Sequence, residues 1–224
     1  MPEFLIELAQ KIAIWALPVL LAVTLHEVAH GWVARALGDP TAALAGRLSL
    51  NPLKHVDPVG TVLVPGVLLA LGGFLFGWAK PVPVAAHRLP NPRRDMAIVA
   101  LAGPAANLAM ALVWGIGLKL SLLAGAESGL GVGLRYMCVA GVVINLVLMV
   151  LNLLPMPPLD GGRVLAGVVP DSIARMLDRI EPFGLFILIG LLATGVLGQL
   201  LYWPLHIAEG LLFQLLDIHG SALF

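Results

Sequence analysis

The sequence predicts a polytopic, all-α membrane protein, and three observations predict it. Of 224 residues, 59% are hydrophobic and only 12% are charged. Mean hydropathy is +0.97, outside the range of soluble globular domains. Several apolar runs approach the roughly 20 residues that a helix needs to cross the hydrocarbon core of a bilayer. Other classes are excluded on the same grounds. Thirteen basic and thirteen acidic residues cancel, so there is no basic footprint for nucleic acid. Cys138 is the only cysteine, which rules out an intrachain disulfide and a thiolate zinc site. No repeat, low-complexity tract or linker interrupts the chain, so residues 1–224 are expected to form one integral-membrane domain. Its core is expected over about residues 12–165, with C-terminal helices over about 183–217.

Residues 3 to 37 read as one long helix. Glu3, Glu7 and Lys11, spaced by four, give its first turns a polar stripe before the run turns apolar at Ile12, and Gly38-Asp39-Pro40 ends it. The run is too long for a cleaved signal peptide and is expected to stay in the mature protein. Within it lies His26-Glu27-Val28-Ala29-His30, an HExxH motif. Positions i and i+4 share a helix face, so His26 and His30 can aim two imidazole nitrogens at one metal ion. Glu27 sits about 100° further round, within reach of a water at that metal. The pattern reads as a zinc hydrolase site with two histidine ligands and a carboxylate base. A lone histidine on an apolar helix is ordinarily a hydrogen-bonding residue between helices. Three ionisable groups in five residues at ligand spacing, where charge is costly, argue for chemistry instead.

Gly46 to Pro52 alternates and is expected to contain a small strand, followed by a polar turn in which His55 and Asp57 are solvated. Residues 59 to 77 are long and apolar, but Pro65, Gly72-Gly73 and the prolines Pro81 and Pro83 favour a broken segment with extended backbone over Phe74 to Val84. Spans are expected over 96–123 and 134–154. Small residues at Ala102-Gly103-Pro104-Ala105-Ala106 would let neighbouring helices approach closely. The second span ends in Asn152-Leu153-Leu154-Pro155-Met156-Pro157-Pro158-Leu159-Asp160-Gly161-Gly162, where prolines break the helix at membrane depth. Asp160 is either a helix cap or interface carboxylate, or a third zinc ligand. Residues 163–182 are charged and expected in water or at the surface. A further span is expected over 183–200, and a shorter last helix over 203–217, started by Pro204. The total is about five to six transmembrane helices, with a re-entrant segment and short β-strands near the active site.

HEVAH, AGPxxN and NLLPMPPLDGG, in this order and inside apolar segments, resemble the site-2 proteases, membrane-embedded zinc metalloproteases. The resemblance covers roughly residues 15 to 165. GRLSLNPLKHVDPVGT and FGWAKPVPV are similar to a compact prokaryotic branch, and the chain has room for neither the PDZ nor the CBS domains of many members. The resemblance implies one Zn²⁺ held by His26, His30 and Asp160, with Glu27 activating water. It also implies that Asn152 lies by the zinc to steady the substrate carbonyl or oxyanion, and Asn107 is a second candidate for substrate contact. The implied substrate is a transmembrane helix of another membrane protein, met within the lipid bilayer.

For Asp160 to reach His26 and His30, residues 59–84 must enter and leave by the same face. That path gathers ten of the thirteen basic residues on one face, against eight for a full crossing. The positive-inside rule therefore favours re-entry and places the catalytic side in the cytoplasm, with the N-terminus outside, in a prokaryotic cell membrane. The alternative function is a membrane metal transporter or metal sensor using the same ligands, which would need no base at Glu27.

Overall fold

The computed structural model describes residues 3–58, 60, 80–125 and 129–218. Helix α1 (Glu3–Ala36) is the expected long first helix. It ends where Gly38 turns to φ +110°, a backbone conformation that side-chain-bearing residues rarely adopt. One further turn, α2 (Thr41–Leu44), and 3-10 turns at Pro52–Lys54 and Ala86–Arg88 lead to α3 (Pro92–Leu123). Helix α3 opens with proline at its first position, and the Asp95 carboxylate accepts the Asn91 N–H at 2.7 Å, satisfying one of the donors a helix start leaves free. Helix α4 (Gly129–Leu153) follows. Beyond it come α5 (Asp160–Val168), α6 (Asp171–Ile180), α7 (Gly184–Ala193) and α8 (Val196–Leu215).

Three helices are long and apolar enough to cross a membrane: α1 over Leu5–Ala36, α3 and α4. Residues Asp171–Ala193 and Val196–Leu215 meet that standard only as a pair bent by 84°. The described residues therefore hold three spans, or four if the bent pair is one, and not five to six. The expected span over 183–200 is broken at Gly195, whose φ is +75°, while the Thr194 hydroxyl donates back to the Gly190 carbonyl at 2.8 Å. Ten residues of α7 rise about 15 Å, half of a ~30 Å hydrocarbon core. Pro204, expected to start the last helix, lies inside α8.

The expected strands are also absent among the described residues. Leu48–Leu50 and residues 80–84 are irregular. Pro81 and Pro83 have no N–H to give to a ladder, and the Ser49 carbonyl is taken by the His55 ring at 2.8 Å. The stretch 59–77 lies almost wholly outside the described residues.

Helices α1, α3 and α4 pack together, with α8 closing one side through a core of Ala111, Val142, Leu146 and Leu212. Gly141 lets α4 lie directly against the Trp114 ring, which a Cβ there would enter. Large apolar side chains such as Leu20, Leu108, Val113 and Leu120 point outward, as expected of surfaces that meet lipid.

The chain leaves α1 and rejoins α3 at the same end of the bundle, and Asp39 ties the two points. Its Oδ1 accepts the Thr41 N–H at 3.0 Å and the Thr41 hydroxyl, and its Oδ2 accepts the Ala85 N–H at 2.6 Å. Burial pushes this carboxyl up, but the donors of Thr41 and Ala85, with Arg88 nearby, outweigh it and hold the carboxyl below its ordinary value. A depressed folded pKa means stabilisation that is complete above the unfolded value of about 3.9 and is lost as pH falls through the folded one. Asp39→Asn is expected to cost about 1–3 kcal/mol at neutral pH. Thermal unfolding of detergent-solubilised protein should show the gap between wild type and Asp39→Asn closing as the pH falls below about 4.

Candidate metal centre

The site forms where one stripe of α1 meets one stripe of α3. Ala22, His26 and His30 recur every four residues, as do Val99, Gly103 and Asn107, so each set lies along one helix face. The helices run antiparallel there: Asn107 meets Ala22 and His26, while Val99 meets His30. Gly103 stands between them. A Cβ at this position would lie 2.5 Å from His26 Cε1 and 2.5 Å from His30 Nε2, so only glycine leaves room for both rings against the α3 backbone.

Asp160 arrives from the far side, at the first position of α5. The break after α4 turns the chain back on itself, and Gly161 and Gly162 let α5 start in contact with the backbone of Leu153, Leu154, Met156 and Pro157. The three side chains are brought together and buried. Asp160 Oδ2 lies 3.2 Å from His26 Nε2 and 3.3 Å from His30 Nε2, and the two Nε2 atoms are 3.1 Å apart.

Those distances fit a metal. Four ligands in a tetrahedron at about 2.0–2.1 Å from zinc are separated by edges of about 3.3–3.4 Å. The chemistry of the atoms fits as well. His30 Nδ1 donates to the Val99 carbonyl at 2.7 Å, and His26 Nδ1 donates to Asn107 Oδ1 at 2.6 Å. With both ring protons turned outward, both Nε2 atoms present lone pairs inward. Asp160 Oδ2 is itself buried without a hydrogen-bond donor. Three buried acceptors with no donor among them repel one another, and a cation relieves that cost.

Glu27 lies on the same helix, turned away from the histidine stripe. Its Oε2 accepts the Val82 N–H at 2.8 Å. Val82 is held against α1 because Gly31, one turn beyond Glu27, lets Leu48 and Val82 approach the helix; a Cβ there would lie 3.0 Å from Val82 Cγ1. Arg47 holds the segment from its other side through the carbonyls of Lys80 at 2.7 Å and Lys54.

The two asparagines sit in different surroundings. Asn107 is fully buried, its oxygen facing His26 and its nitrogen donating to the Ala22 carbonyl at 3.2 Å and to Asn145 Oδ1 at 2.9 Å, so it stands behind the histidines with no donor left for a substrate. Asn152 is half-buried, and its amide donates to the Leu148 carbonyl of its own helix at 3.0 Å. Sequence reasoning missed Asn145, Gly103's contact with both rings, and the Val82 N–H. The only available signals were the four-residue spacing of Gly103 and Asn107 and the isolation of one N–H between two prolines.

Comparison with known proteins shows the family. The model of peptidase family M50 matches residues 129–194. The Bacillus subtilis protein named "Putative zinc metalloprotease YwhC" is 38% identical over 189 residues, 84% of this chain and 83% of the relative. A protein of the same description, Rip2 of Mycolicibacterium smegmatis, is 33% identical over 188 residues, 82% of this chain and 70% of its own. Rip2 of Mycobacterium tuberculosis is 30% identical over 201 residues, 90% and 72% respectively. No solved structure matches the chain. The architecture and site define a membrane metalloprotease whose cofactor is zinc. The chain belongs to peptidase family M50.

Gly103→Ala should drive the imidazoles apart while leaving the apolar bundle intact. The folded, detergent-purified variant is expected to carry far less than one zinc per chain, measured by atomic absorption beside wild type.

Proposed function

We propose that this protein is an intramembrane protease that hydrolyses peptide bonds in or beside the transmembrane segments of other membrane proteins. The observation that carries this reading is the placement of three buried, metal-seeking lone pairs between helices long enough to cross a bilayer. In this reading His26, His30 and Asp160 hold one zinc ion. Zinc, when bound, supplies Lewis acidity that polarises a carbonyl and makes a water easier to deprotonate.

The chain's own residues do the rest. Glu27 takes a proton at its carboxylate and returns it to the leaving amine. The Val82 N–H holds Oε2 at 2.8 Å and so restrains the carboxylate. A metal-transit site needs no such oriented base, so the Val82–Glu27 contact supports hydrolysis over transport. A helical substrate hides its carbonyls in its own hydrogen bonds and must unwind locally before it can be cut. Water reaches the site along the irregular segment around Pro155–Pro158, since broken backbone at membrane depth is tolerated where it lines a wet cavity. Arg47, Lys54, Lys80 and Arg88 gather at the end of the bundle where α1 stops and α3 starts, which supports a cytoplasmic active site.

The test is the zinc-to-protein ratio of wild type, Asp160→Ala and Glu27→Gln, followed by cleavage of a reconstituted transmembrane substrate. Near-stoichiometric zinc is expected in wild type and Glu27→Gln, with loss in Asp160→Ala. Glu27→Gln should cut at least ~10²-fold more slowly, and chelation should abolish cutting. Zinc held as firmly by Asp160→Ala as by wild type would sink the three-ligand site, and undiminished cleavage by Glu27→Gln would sink the hydrolytic role of that carboxylate.

A further inference from the structure

We propose that Asn145 and Asn107 form a positioning relay that sets the tautomer of His26 and so aims its Nε2 lone pair at the metal position. The proposal rests on the metal-site reading above and names residues on two helices that hold no metal themselves.

The argument starts from two main-chain carbonyls, which can only accept. Asn145 lies 2.8 Å from the Gly141 carbonyl and must turn its amide nitrogen towards it. The other end of Asn145, its Oδ1, then faces Asn107 and requires a donor there. Asn107 supplies one with its amide nitrogen at 2.9 Å, and the same nitrogen donates to the Ala22 carbonyl at 3.2 Å. Both hydrogens of that nitrogen are now used. Asn107 Oδ1 is left pointing at His26 Nδ1, 2.6 Å away. An amide oxygen only accepts, so the His26 proton must sit on Nδ1, and a neutral ring then keeps its lone pair on Nε2. Reversing Asn107 would set oxygen against the Ala22 carbonyl, and reversing Asn145 would set oxygen against that of Gly141. Both asparagines are 0% exposed, so no water is at hand to repair such a clash.

The two histidines therefore reach the same protonation pattern by different routes. His30 donates straight to the Val99 carbonyl, which no side-chain substitution removes. His26 depends on two replaceable side chains, one from α3 and one from α4. Partners of this kind behind a ligand contribute roughly 10–100-fold to metal affinity.

Histidine-selective ¹⁵N NMR of the zinc-free, detergent-solubilised protein reads which ring nitrogen carries the proton, and chelator competition reads the zinc Kd. In wild type His26 should carry its proton on Nδ1. Asn107→Leu, close in volume but with no acceptor, should move that proton at least partly to Nε2 and weaken zinc roughly 10–100-fold. Asn107→Asp keeps an acceptor and should restore the Nδ1 proton and most of the affinity. A packing role alone predicts the reverse order, with leucine tolerated and the buried charge not. Asn145→Leu, which touches no ligand, should shift His26 in the same direction but less, because Ala22 still orients Asn107. The His30 pattern should not move in any variant. If Asn107→Leu leaves His26 protonated on Nδ1 with a wild-type zinc Kd, the relay is wrong. An unchanged His26 in Asn145→Leu would remove Asn145 from it. Failure of the wild type to bind zinc would instead overturn the metal-site reading, since the tautomer is read without metal.

Discussion

Two helices can share a pair of imidazoles only where no side chain keeps their backbones apart, and Gly103 provides that place. The close approach of α1 and α3 brings His26 and His30 against Val99 and Asn107, which turn the ring protons outward. It also makes the site incomplete until a third group arrives from elsewhere. Asp160 fills that need from a separate part of the chain, carried by a helix that can begin there only because Gly161 and Gly162 tolerate backbone contact. Charge alone does not build this centre. Small residues at three positions decide whether the charged ones can meet.

The setting explains why so many polar atoms are committed. Between apolar helices an unpaired amide or carboxylate is costly, and water is not available to repair it. Asn107 and Asn145 satisfy each other and two backbone carbonyls. The ligand atoms stand apart as three acceptors facing one another at 3.1–3.3 Å. Such a cluster marks the place where a cation would relieve the cost.

Much of this was legible from the residues. Metal ligation constrains residue type and spacing together, so HEVAH could be read directly, whereas Asp160 has no spacing partner and stayed open between cap and ligand until the family resemblance was added; the long first helix could be read from uninterrupted apolarity. What escaped was of two kinds. Asn145 looks like any polar residue in an apolar helix, and its role depends on which neighbour α3 presents to it. The Val82 N–H is a backbone atom with no letter of its own. Among the described residues no strand forms near Leu48–Leu50, because the short alternation over Gly46 to Pro52 says nothing about whether a partner strand exists. The C-terminal spans were misjudged because Thr194-Gly195 ends a helix through a left-handed turn that hydropathy does not register, whereas Pro204, a stronger breaker on paper, is absorbed within α8.

The segment that restrains Glu27 has little left to offer a visitor. From Lys80 to Pro83 the only backbone donors are Lys80, committed to the His55 carbonyl, and Val82, committed to Glu27. The Lys80 and Pro81 carbonyls are covered by Arg47. Both backbone donors of this stretch and two of its four carbonyls are thus committed beside the Glu27 carboxylate, which leaves it no N–H to lend an extended chain. Under the proposed function, a polypeptide beside Glu27 would have to find partners for its backbone acceptors elsewhere. On that reading, being unfolded nearby would not suffice for capture, a measure of restraint for an enzyme embedded among many apolar segments.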